Sequence, residues 1–90
     1  MKKLVQVQEV EGEGLISMLG QRVVLFCLNY IYTGELVGVN DMCVQLTDAA
    51  IVYETGAFSA SSWKDAQRLP GDQYVMLACI ESFSVTKLIT

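Results

Sequence analysis

The sequence predicts an all-β domain: five antiparallel strands in one strongly bent sheet, closed as a small barrel and preceded by a short N-terminal helix. Three observations carry this expectation. Short apolar runs recur along the chain, bounded by Gly, Asn and Asp, which is the pattern of strands rather than of helices. Gly34 and Gly38 both fall inside the second of these runs, where glycine marks a bulge or a close backbone approach and so a sharp bend. Two of the runs, Tyr74 to Cys79 and Ile80 to Val85, follow one another with almost no turn chemistry between them, as one long pair crossing a barrel corner.

Taken in order, residues 1–14 form an N-terminal arm. Positions 4 to 10 alternate well enough for a marginal edge strand, and Gly12 and Gly14 interrupt it. Leu15 to Leu19, stopped by Gly20, reads as one or two helical turns. Arg22 to Leu28 is a near-continuous apolar run whose two faces both need cover. Asn29-Tyr30 turns the chain into a second strand from Tyr32 to Asn40, and a third runs from Met42 to about Thr47. Asp48-Ala49-Ala50 suits a bulge, after which Ile51-Val52-Tyr53 resumes the apolar pattern. Residues 55–73 are polar and small and predict a long loop between strands three and four. Within it, Ser62 is placed to cap a helical turn with Asp65, and Pro70-Gly71 fits the centre of a type II turn. The whole of 1–90 is one domain.

The chain is 52% hydrophobic and only 18% charged, against about 45–50% and 25% in an average globular sequence. So much apolar surface does not fit inside one small core, and the excess predicts self-association. The net charge is −4, so phosphate neutralisation, the main source of non-specific nucleic-acid affinity, is weak or local here. A symmetric ring still multiplies whatever basic residues face one surface. Cys27, Cys43 and Cys79 are widely spaced, each inside an apolar run, and are expected to be buried thiols rather than a disulfide framework. The longest apolar run, Val23 to Leu28, is far too short to span a bilayer, and Lys2-Lys3 leads into no signal-peptide segment. A reduced, cytoplasmic location with no membrane partner is the expectation.

With no histidine in the chain, Cys-His and Ser-His pairs and histidine-built zinc sites are excluded. The cysteines lack C-x-x-C spacing, and Glu11 and Glu13 sit in a glycine-flanked arm unsuited to fixed catalytic geometry. The chain is therefore expected to be no enzyme and to hold no metal or cofactor.

Leu19-Gly20-Gln21-Arg22-Val23, followed by Gly34-x-Leu36, Val39, Met42, Leu46, Asp48 and Ala49, resembles the first motif of the Sm-like ribonucleoprotein family, with one deletion near Asp41. The resemblance covers residues 15 to 49. It implies an Sm-like, SH3-like barrel that joins through its edge strands into a homo-oligomeric ring of about five to eight subunits binding single-stranded RNA or DNA. In the family an Asp and an Asn between strands two and three hold a base at the ring's inner edge. Asn40 falls on the Asp position, Asp41 stands beside it as a substitute, and Cys43 occupies the Asn position. The family's second motif places a basic residue and a glycine or histidine between strands four and five. Ala78 and Cys79 stand there instead, so the usual uridine pocket does not transfer.

The candidate nucleic-acid residues are thus Asn40, Asp41, Met42, Ala78 and Cys79 in the inner loops, with Trp63, Lys64 and Arg68 in the outer loop. Each has a plainer reading beside the functional one. Asn40 and Asp41 also suit a simple turn pair, and Met42 either stacks under a base or fills the barrel end. Trp63 either stacks on bases beside its two cations or packs onto the barrel as a lid. Tyr30 and Tyr32 suit a subunit interface. The leading expectation is an RNA- or DNA-binding ring active in nucleic-acid processing. The alternatives are a structural or protein-interaction ring that has lost nucleic-acid binding, and an isolated peptide-binding SH3-like barrel.

Overall fold

The computed structural model describes residues 14–90. The expected edge strand in the arm lies outside the described residues. The rest is an antiparallel sheet of six strands: β1 (Arg22–Cys27), β2 (Ile31–Val39), β3 (Cys43–Glu54), β4 (Asp65–Arg68), β5 (Gln73–Met76) and β6 (Ile80–Val85). The sheet runs β4-β3-β2-β1-β6, and β5 pairs with the other half of β3.

The expected bending is present and has local causes. Pairing of β2 with β3 slips between Thr33 and Glu35 and again between Leu36 and Gly38. A Cβ on Gly34 would stand 3.0 Å from the Thr47 carbonyl oxygen and 3.2 Å from the Ala49 Cα. Only glycine lets the two backbones come so close. Across that slip Asp48 takes a left-handed backbone, φ 50°, which Asp tolerates better than most residues. Its carboxylate accepts from Arg22 Nη1 at 3.2 Å and from Arg68 Nη1 at 2.8 Å, tying the bulge to β1 and β4.

The sheet carries apolar packing on both faces, as the uninterrupted run in β1 requires. Val23 and Leu25 join Leu36, Val44, Leu46, Ala49 and Val75 on the concave side. Val24 points the other way and packs with Val52, Trp63 and Leu88 under the 55–64 segment and the C-terminal tail. Thr33 is the fully buried polar side chain, and its hydroxyl donates to the Val23 carbonyl at 2.8 Å.

Four expectations are corrected. The barrel is not closed: β5 and β6 do not pair with each other. A three-residue 3-10 turn, Leu77–Cys79, carries the chain from one edge of the sheet to the other, so among the described residues both strands keep a free side. The short N-terminal helix is one 3-10 turn, Ile16–Met18. Gly14 and Gly20, with φ of 79° and 85°, bracket it too tightly for an α-helix. The 55–73 loop holds a strand, because the edge of β3 that faces away from β2 offers Ala50 to Glu54 as a template for Asp65 to Arg68. Ser62 accordingly sits in a bridge to Ile89 and caps no helical turn. Lastly, Cys79 is exposed and Cys27 and Cys43 are only half-buried, so the thiols are not core residues.

Among the described residues no helix is long and apolar enough to cross a membrane.

Candidate nucleic-acid interface

The two inner loops meet. The β2–β3 turn, Asn40 to Met42, and the 3-10 turn after β5 are joined by the Leu77 amide, which donates to the Met42 carbonyl at 2.9 Å. Pairing of Cys43 with Met76 continues the contact into the strands. Asp41, Met42, Ala78 and Cys79 are exposed, and Met42 keeps 66% of its surface in solvent.

The Asn40 side chain is already engaged. Its Oδ1 accepts from the backbone amides of Met42 and Cys43 at 2.8 and 2.9 Å, and the Asn40 backbone N–H donates to the Cys43 carbonyl at 3.0 Å. This is the turn reading: the carbonyl oxygen shapes the loop and is not presented to a base edge. Neither inner-loop segment carries a Lys or Arg, while Asp41 contributes negative charge. Phosphate gains nothing there by ion pairing.

The outer loop resolves differently. Trp63 is only 6% exposed and packs among Val24, Val52 and Leu88, with Phe58 edge-on to its ring at 6.3 Å. It packs as the lid, which leaves little of its ring open for a base to stack on in the single chain. Lys64 is paired with Glu54 at 3.1 Å and Arg68 with Asp48 at 2.8 Å, so the cations beside it are both partly neutralised. The inner and outer candidate residues lie on separate segments and share no hydrogen bond or ion pair among the described residues.

A further surface lies around Tyr30 and Tyr32, the pair whose residue types suit a subunit interface. Tyr30 and Tyr32 meet edge-on at 6.3 Å, and the Tyr32 ring lies at the seam between β5 and the turn at Cys79. Burial raises the Tyr32 phenol and the Cys27 thiol above their ordinary values. For Cys27 the neighbouring Cys79 and Glu81 push in the same direction. Both groups therefore stay neutral at physiological pH. Among the described residues no group of three or more His, Cys, Asp or Glu side chains is placed to hold a metal ion.

No protein-family model and no curated protein matches this chain.

Proposed function

We propose that this chain is the subunit of an Sm-like homo-oligomeric ring whose main role is structural or protein-binding. The observation that carries the proposal is the pair of free strands at the seam. Among the described residues β5 pairs only with β3 and β6 only with β1, leaving one unpaired side on each. A strand edge with open N–H and C=O groups is a template for another chain, and joining β5 of each copy to β6 of the next satisfies both of these edges in a closed circle, while the short β4 keeps its own outer side. Exposed Tyr74 and Met76 on β5 and Val85 on β6 supply apolar surface beside those edges.

The structural role is favoured over nucleic-acid binding by three features. Asn40 is consumed by its own turn, the inner loops lack a cation, and Trp63 is covered.

A second reading, binding of single-stranded RNA or DNA at the inner loops, draws support from one feature. The Met42–Leu77 bond joins the two loops into a single surface on which Met42 stands exposed, an apolar platform that a base can lie against. Anisotropy titration of labelled oligo(U), oligo(A) and single-stranded DNA at low and moderate salt separates the readings. The structural ring predicts no saturable binding at low salt. Saturable binding that weakens as salt rises establishes the second reading instead.

A further inference from the structure

A cavity of about 400 Å³ opens on the convex side of the sheet, next to the free edge of β6. Phe26, Phe58 and Trp63 form one wall, and Ser84 and the tail through Leu88 form the other. The three rings stand edge-on in series, 6.4 Å from Phe26 to Phe58 and 6.3 Å from Phe58 to Trp63. Phe58 is 62% exposed despite that packing, and Trp63 Nε1 is buried with no hydrogen-bond partner among the described residues. An aromatic hollow with an open side and an unused donor is incomplete as it stands.

Strand geometry identifies what completes it. Side chains alternate across a strand, and Val75 of β5 packs on the concave side opposite Val44, so Tyr74 and Met76 face the convex side. On β6, Phe83 lies on the concave side opposite Leu25, and Ser84 lies on the convex side opposite Val24. When β5 of a second copy adds antiparallel to β6, several registers keep all four β5 residues paired, and one of them sets Val75 against Phe83, so that the two apolar side chains meet on the same face. That register sets Tyr74 against Ser84, at the mouth of the cavity. Tyr74 is 64% exposed in the single chain, with a phenolic oxygen able to accept from a buried N–H.

We infer that this cavity receives the Tyr74 side chain of a second copy, an inference that rests on the edge-paired ring proposed above. The ring thereby acquires a specific anchor in addition to backbone pairing, and buried aromatic anchors dominate interface energies.

Trp63 is the single tryptophan of the chain, so its emission reports on the cavity. The test compares sedimentation velocity over a dilution series with acrylamide quenching of Trp63 in the wild type, Tyr74→Ala and Ala60→Leu, which fills the cavity from the loop side. Circular dichroism checks that each variant folds. The inference predicts an assembled wild type. Both variants should dissociate at least about ten-fold more readily, and Trp63 in Tyr74→Ala should be more accessible to quencher even when assembled. An assembled wild type with Tyr74→Ala unchanged in both readouts overturns the anchor and leaves the ring standing. Weakening by Tyr74→Ala but not by Ala60→Leu also overturns it, because the ring then sits elsewhere. A monomeric wild type ends both proposals, and if its Trp63 responds saturably to decanoate the cavity is a small-molecule site.

Discussion

The Leu77 amide donates to the Met42 carbonyl at 2.9 Å, joining the turn before β3 to the turn after β5. The bond is between backbones, so the relative position of the two turns does not depend on which side chains they carry. Asn40 fixes one partner of the bond, because its Oδ1 holds the Met42 amide.

Asn40→Ala is therefore expected to destabilise the fold by about 1 kcal/mol, the typical cost of losing a side-chain acceptor that satisfies turn amides. Asn40→Asp keeps the acceptor and should recover most of the loss. Urea unfolding of the three proteins measures this. Equal midpoints for wild type and Asn40→Ala would mean that the turn is held by its backbone bonds alone.

The two strand glycines of β2 should differ in consequence. At Gly34 an added methyl meets the backbone of Thr47 and Ala49, which has no room to retreat, so Gly34→Ala should cost roughly 1–3 kcal/mol. At Gly38 the nearest atom is Gln45 Oε1 at 3.3 Å, the end of a flexible side chain. Gly38→Ala should stay below about 1 kcal/mol, since replacing strand glycine with alanine also removes backbone freedom from the unfolded chain. Thermal melts of the two variants test the ordering, and the reverse ordering would be incompatible with the close approach of β2 and β3 at Gly34.

That close approach shows how much of the fold the residue pattern discloses. Gly34, Gly38 and the break at Asp48 mark the bends because their causes are local: a missing Cβ, or a side chain that tolerates a left-handed backbone. The two-sided burial of β1 is equally readable in Val23-Val24-Leu25. β4 is not, because Asp65-Ala66-Gln67-Arg68 has no strand character of its own and pairs only since the side of β3 away from β2 is open to it. The same holds for the candidate site. Asp48 meets Arg22 and Arg68 across 26 and 20 residues of chain, and the fate of Trp63 depends on Val24 and Leu88 arriving from opposite ends of the domain. Contacts of that range leave no spacing to read.

Alkaline pH should weaken the fold through Cys27 and Tyr32. Burial raises the Cys27 thiol above 9.0 and the Tyr32 phenol above 10.0, with smaller contributions from neighbouring acidic groups. A raised pKa means that the folded state holds its proton where the unfolded chain has already released it. The associated stability is complete below the ordinary values and is lost as pH rises through the folded ones. Urea midpoints should therefore be flat from about pH 7 to 8.5 and fall above about pH 9. Cys27→Ala should start that fall later. A midpoint that rises with pH in this window would contradict the burial of both groups.

The central claim is that the free edges of β5 and β6 find each other between copies. Native mass spectrometry of the unmodified chain, with sedimentation velocity across a dilution series, tests it most directly. Edge pairing predicts one closed assembly of fixed copy number that persists into the low micromolar range. A chain that remains a monomer at every concentration, or one that grows into open polymers of no fixed size, would contradict it.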